Sequence, residues 1–218
     1  MSELEETVAE LVNQNDSKLW GKYRGTVVDN EDPKKIARLT LRLNNLFGGD
    51  FVTGWALPCL PYGGEANQGM LFIPEKKSQV WVEFEEGDID YPVWVGCYWS
   101  CPDDSSEIPR PNELEGSEAG AVQDPVTRKI IKTLKGHTIQ LEDKDGEESI
   151  IIVQKVDDKK LNIISMDASG IVITDFTGNK IVMSKDAFTL TSKVAFTIDA
   201  SGQAVEIKAD TVDFTKAS

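Results

Sequence analysis

Residues 135–214 read KGHTIQLEDKDGEESIIIVQKVDDKKLNIISMDASGIVITDFTGNKIVMSKDAFTLTSKVAFTIDASGQAVEIKADTVDF, and this run decides the fold class. Apolar residues alternate with polar ones along it: Ile139 and Leu141, Ile151 and Val153, Leu161 and Ile163, Ile171 and Ile173, Ile181 and Met183. The alternation continues through Phe188 and Leu190, then Val194, Phe196 and Ile198, Val205 and Ile207, and Val212 and Phe214. A period of two sends successive side chains to opposite faces of a strand, so these are strands with one buried and one wet face. Turn pairs cut the run into short lengths: Asp145-Gly146, Ser169-Gly170, Thr177-Gly178 and Ser201-Gly202.

Two architectures fit this texture. The strands can form a sandwich or meander within one chain, or they can stack along an axis as a β-helix or β-prism. The spacing favours the stack, because Gly146 and Gly170 are 24 residues apart, as are Gly178 and Gly202. With only two or three apolar side chains per strand and few large aromatics, one chain struggles to close a thick core. Copies of the same chain can cover those faces and pair the exposed edges. An intertwined homo-oligomer is the expectation.

The 218 residues allow one large domain or two small ones, and the change of texture near residue 125 argues for two. The net charge of −14 is unevenly spread. Residues 1–125 hold 10 Lys/Arg against 23 Asp/Glu, while residues 126–218 hold 13 against 14. An acidic front half opposes nonspecific nucleic-acid binding, which needs a basic surface. No run approaches the ~18 apolar residues of a membrane span. The acidic start MSELEETVAE lacks the basic region of a signal peptide, so synthesis in the cytoplasm is expected. Cys59, Cys97 and Cys101 make an odd count without a paired CxxC, which reads as reduced thiols rather than a disulfide framework or zinc site.

In chain order, residues 1–18 read as a short helical segment, with Leu4, Val8, Leu11 and Val12 at helical spacing and glutamates early in it. It suits docking on the body of the protein or on a partner. Residues 19–100 read as five or six short strands with no long helix, a small closed barrel of SH3-like or OB type. Its expected core includes Val27, Leu41, Trp55, Trp81 and Trp94. Tryptophans at strand spacing are core and corner packing more often than a base-stacking platform, and the acidic charge agrees. Residues 101–126, rich in Pro, Ser and acids, read as a linker, and 127–218 as the stack.

Chemistry is hard to find. His137 is the only histidine, with no second metal ligand and no presented nucleophile, and it reads as a polar residue at a strand start. Gly48-Gly49 and Gly63-Gly64 lack the lysine of a phosphate cradle. Glu83, Glu85, Glu86, Asp88 and Asp90 lack the spacing of a calcium loop. Neither a cofactor nor a metal is expected, and a non-enzymatic role follows.

The run GTVVDNEDPKKIARLTLRL, then WALP, then QVWVEFEEGDIDYPVWVGCYW, resembles the OB domain of the spike proteins of contractile injection machines. These include baseplate assembly protein V, the cell-puncturing spikes of contractile-tail phages, and the valine–glycine repeat spikes of type VI secretion systems. TLKGHTIQLEDKDGEESIIIV is similar to the start of that family's β-helical needle. The resemblance implies a homotrimer: three OB domains form a collar, and three C-terminal chains wind into one triangular β-prism. It implies a hub or tube protein of the baseplate at the OB end, a conical tip protein at the far end, and transient contact with a target membrane. Assembly into a phage tail or tail-like particle goes with it. On this reading Ile139, Leu141, Ile171, Ile173, Ile181, Met183, Phe196 and Ile198 face the trimer axis. Val212, Phe214, Thr215 and Lys216 form the platform for the tip. Some phage spikes carry a lysozyme between barrel and needle, but the acidic interval here is too short for a pocket with two placed carboxylates. About ten strands at ~4.8 Å per step would make a needle of order 50 Å. The alternatives are an OB module binding single-stranded nucleic acid or another ligand, which needs a basic groove, and an enzyme of unknown type on a β scaffold.

Overall fold

A computed structural model describes residues 4, 7, 18–46, 51–119 and 126–215, which fall into two compact units, Met1–Glu107 and Ile108–Ser218. The expected N-terminal helix lies outside the described residues except for Leu4 and Thr7, both helical and exposed.

The first unit is a five-stranded sheet. Its strands are β1 (Tyr23–Asp29), β2 (Thr40–Leu43), β3 (Leu57–Pro58), β4 (Gln79–Phe84) and β5 (Pro92–Cys97), in the order β2-β1-β4-β5-β3. All pairings are antiparallel except β3 with β5. As regular ladder the sheet is open. The chain just before β3 spans the gap: Leu39 and Ala56 exchange backbone bonds of 3.1 and 2.7 Å, and Thr53 N–H donates to the Leu41 carbonyl at 2.9 Å. Residues 51–58 thus touch β2 on one side and β5 on the other, which completes a circuit of hydrogen bonds. One parallel pair in a five-stranded antiparallel circuit is the OB arrangement.

The alternation of β4 explains its core. Val80, Val82 and Phe84 point inward and join Val27, Leu39, Leu41, Leu43, Ala56 and Trp94 in one buried cluster. Trp94 is 3% exposed, and its indole Nε1–H donates to the Ala37 carbonyl at 3.0 Å. A buried indole needs such a partner. Gly25 lets β1 cross this core closely, since a Cβ there would sit 2.9 Å from Val82 Cγ2.

The expected barrel core needs correcting at two tryptophans. Trp81 lies between the inward Val80 and Val82, so the period of the strand turns it outward, where it is half-buried against Tyr98 at 4.9 Å between ring centres. Trp55 is also half-buried, between the buried Thr53 and Ala56, with the Arg38 guanidinium 5.5 Å over its ring. Both cover the barrel from outside.

The second unit is a seven-stranded sheet in strict sequence order. It comprises β6 (Arg128–Lys132), β7 (Thr138–Glu142), β8 (Ser149–Asp157), β9 (Lys160–Asp167), β10 (Gly170–Thr174), β11 (Lys180–Ser184) and β12 (Phe188–Thr191). Every neighbouring pair is antiparallel, so one chain makes an open meander and winds no coil by itself. The turns share a design. Asp167 accepts from the Ser169 backbone N–H at 2.7 Å, Asp175 from that of Thr177 at 2.8 Å, and Asp199 from that of Ser201 at 2.9 Å. Gly170 is compulsory: its φ is +139°, and a Cβ would lie 2.0 Å from the Met183 carbonyl oxygen.

Two expectations change here. The alternating segments around Val194, Phe196 and Ile198, Val205 and Ile207, and Val212 and Phe214 carry no strand in one chain and are exposed. Seven strands make a sheet of about 29 Å along the stacking direction, against the order of 50 Å expected for ten. Residues 108–119, read as linker, are packed instead onto one face of the sheet. Asn112 N–H donates to Gln140 Oε1 at 2.8 Å, and Gln140 Nε2 donates back to the Asn112 carbonyl at 3.0 Å. Gly116 lies so near Ile163 that a Cβ would sit 2.8 Å from its Cδ1.

Candidate assembly interface

The strand registers of the second unit sort its side chains into two faces. One face carries Thr138, Gln140 and Glu142 on β7 and Ile151 and Val153 on β8, all buried beneath or beside residues 108–119. Glu142 is deep in this face. Burial pushes its carboxyl up, but hydrogen bonds from Thr127 and Arg128 outweigh that and hold it below the usual glutamate value. Asn112 Oδ1, also buried, has no hydrogen-bond partner.

The opposite face carries two apolar columns. Directly paired residues form one column, Ile131, Ile139, Ile152, Ile164, Ile173, Ile181 and Leu190. Beside it runs a second, Leu141, Ile150, Met166, Ile171, Met183 and Phe188, with Lys129 at its start. In one chain they are only partly covered: Ile139 is 43% exposed and Phe188 70%, while Ile164, Met166, Ile171, Ile181 and Met183 are half-buried. Full burial of such a side chain is worth ~1.5–3 kcal/mol. If each of the thirteen still has about a third of that to gain, on the order of 10 kcal/mol is unrealised per chain. That rivals the whole stability of an ordinary domain, ~5–15 kcal/mol. A surface of this kind marks an interface.

Of the residues expected at a trimer axis, Ile139, Leu141, Ile171, Ile173, Ile181 and Met183 lie on this face in adjacent columns. Phe196 and Ile198 are 59% and 65% exposed, outside any strand. Of the expected tip platform, Val212, Phe214 and Thr215 are exposed without secondary structure, and Lys216 lies outside the described residues. Sequence reasoning missed Ile150, Ile152, Ile164 and Met166. It took Ile151 and Val153 as the strand's apolar set, whereas the run Ile150–Val153 is apolar on both sides. The signal for a two-sided strand was that unbroken run itself.

His137 has a structural task. Its Nδ1 accepts the Lys155 backbone N–H at 3.2 Å, and its own N–H donates to Thr133 Oγ1 at 3.1 Å. Among the described residues no group of three or more His, Cys, Asp or Glu is placed to hold a metal ion, and no helix is long and apolar enough to cross a membrane. The three cysteines are exposed free thiols. In the first unit, Arg24 lies 5.6 Å from the Trp81 ring centre and 5.5 Å from that of Tyr98, so this aromatic pair already has a cation upon it. Among the described residues of this unit, Asp32 is the buried carboxylate. Arg38 donates to it through Nη2 at 2.6 Å and Nε at 3.0 Å, and the Lys34 and Ile36 backbone N–H groups each donate at 2.9 Å. The Arg38 guanidinium first, then those backbone donors, hold the Asp32 carboxyl far below the ordinary aspartate range. The result is a pinned loop between β1 and β2.

Taken together, the molecule is an all-β protein with an OB unit and a sheet unit whose apolar face awaits a cover. Residues 23–99 match the family of type VI secretion system/phage-baseplate injector OB domains, and this match over the OB unit supports the baseplate spike family. No curated protein matches the chain.

Proposed function

We propose that this protein is a non-enzymatic spike at the centre of the baseplate of a phage tail or tail-like injection device. The observation that carries the reading is the pair of apolar columns, one running across all seven strands and the other across the six from β7 to β12. Three copies turning these columns toward a common axis bury them without any further protein. Hydrogen bonds of a meander run from strand to strand, so they lie along the axis of such a stack. Shortening it means breaking many of them together, and the prism resists axial load. Sheath contraction drives it through the target envelope. The OB units form the collar toward the hub or tube protein, and the exposed C-terminal residues meet a separate tip protein.

The OB match supports the baseplate setting, and the alternation continuing to Phe214 supports a needle longer than the seven-stranded sheet. The Asp199–Ser201 turn is already built like those of the sheet, so the segments around it need only partners to become strands. Light scattering on the purified protein at micromolar concentration tests the reading. Three copies of the 24.1 kDa chain come to about 72 kDa, and this mass should persist on dilution. A stable 24.1 kDa species would remove the physical basis of the needle.

A further inference from the structure

The registers that define the two apolar columns define a further column on the same face, and it is polar from end to end. Two residues from each member of the first column, on the side away from the second, stand Thr133, His137, Gln154, Asn162, Asp175, Asn179 and Ser192. Each lies within its strand or next to its end. Backbone bonds from Thr133 N–H to the His137 carbonyl at 2.9 Å and from Asp175 N–H to the Asn179 carbonyl at 3.0 Å carry the pairing out to it. Side chains bond along the column. Asn162 Nδ2 donates to Gln154 Oε1 at 2.7 Å, Asn179 Nδ2 to Asp175 Oδ2 at 2.7 Å, and Ser192 Oγ to Asn179 Oδ1 at 3.4 Å. Asn162 Oδ1 also accepts the Phe176 N–H at 2.9 Å, and Asn179 Oδ1 the Lys193 N–H at 2.8 Å.

The apolar columns leave one thing undecided. The first is six isoleucines and a leucine, so a copy displaced along the axis by one strand again sets isoleucine against isoleucine. The second includes Met166 and Met183, side chains that adapt to what they meet. Apolar contact of this kind holds copies together without choosing their register. Polar order does choose. Shifting the series Thr, His, Gln, Asn, Asp, Asn, Ser by one strand brings no member onto its like. Asp175 keeps its charge there, because hydrogen bonds from Thr177 first and then Asn179 hold its carboxyl down at about 2. With Nδ1 accepting from Lys155, the neutral His137 ring keeps Nε2–H as a donor, and Gln154 keeps the hydrogens of Nε2. A donor or acceptor that loses water and gains no partner is penalised, which is how single polar residues fix the register of coiled helices. We propose that this polar column, at the border of the apolar strip, sets the axial register in which copies of the chain assemble, while the apolar columns supply the attraction. This rests on the spike reading above, and it adds the residues that align the copies.

The test reads register directly in the full-length chain. The exposed thiols of Cys59, Cys97 and Cys101 are replaced by serine, and Asp158→Cys takes a spin label. Asp158 lies in the turn between β8 and β9, with its side chain 91% exposed. Three copies in one register give a single label-to-label distance in pulsed electron resonance. Gln154→Met together with Asn162→Leu removes both partners of one polar bond, so neither is left without the other. This pair should keep the trimer mass and lose the single distance, as copies settle at steps of ~4.8 Å along the axis. Ile171→Val, in the second apolar column, should leave the distance single. Thr133→Val keeps the shape of its side chain, and is read in the same way if the pair loses its strand signal in circular dichroism. A single unchanged distance in the polar variants overturns the assignment, and so do several distances in the labelled parent. Loss of the trimer from folded variants overturns it too, because the column would then hold the copies together rather than align them. A monomeric parent counts against the spike reading itself, and is separable from the other outcomes.

Discussion

The two units solve the same problem in opposite directions. The OB unit turns Val27, Leu39, Leu41, Leu43, Val80, Val82 and Trp94 inward and buries them within one chain. The sheet unit turns two columns of Ile, Leu, Met and Phe outward and buries on its other face Ile151 and Val153 together with Thr138, Gln140 and Glu142. A barrel can be completed by a single chain because its sheet curls back on itself. An open meander of seven strands does not, and the large apolar face left on it marks an interaction surface. The difference teaches that a sheet with one face covered by its own chain can still leave an apolar face open.

The contrast can be broken most severely at Ile173, which pairs with Ile164 and Ile181 in the middle of the first column. Ile173→Asp should abolish the trimer, since three carboxylates would share one dry axis. The OB unit should keep its fold, as its tryptophan fluorescence will report. A stable trimer of this variant would sink the buried-axis account. Leu41 is the matching position in the OB unit, fully buried in its core. Leu41→Ala should cost that unit about 2–5 kcal/mol in denaturant unfolding and leave the oligomeric mass unchanged. The smallest effect is expected from acid. Asp32 has its carboxyl depressed by Arg38, so its contribution to stability is fully present above the ordinary aspartate value of about 3.9 and is lost as pH falls below it. The OB unit should therefore weaken in that window, and Asp32→Asn should flatten the pH dependence there.

Much of this was legible in the residues. The alternation of QVWVEF fixes β4, and its valines locate the barrel core, because inward and outward positions must alternate. The same rule should have turned Trp81 outward; bulk alone suggested the core, and bulk does not choose a face. In the sheet unit the isoleucines of GIVIT and the Ile and Met of KIVMS gave the exposed apolar face directly, since these strands are apolar on one side and mixed on the other. SIIIVQ did not, because β8 is apolar on both faces and its pattern has no polar gap to set the phase. The cover itself was hidden. Residues 108–119 have the composition of a linker, and their attachment rests on a reciprocal amide pair, Asn112 with Gln140, that no periodicity announces. The segments beyond Thr191 are strand-like in pattern yet carry no strand in one chain.

The most direct measurement of the central claim uses methionines the protein already has. Met166 and Met183 sit in the second apolar column, while Met70 stands 46% exposed on the OB unit. Mild peroxide followed by peptide mass spectrometry reads all three in one sample. The account predicts rapid conversion of Met70 to the sulfoxide, with Met166 and Met183 protected by the neighbouring copies. Oxidation of Met166 and Met183 at the rate of Met70 would contradict it, because the columns would then be open to water.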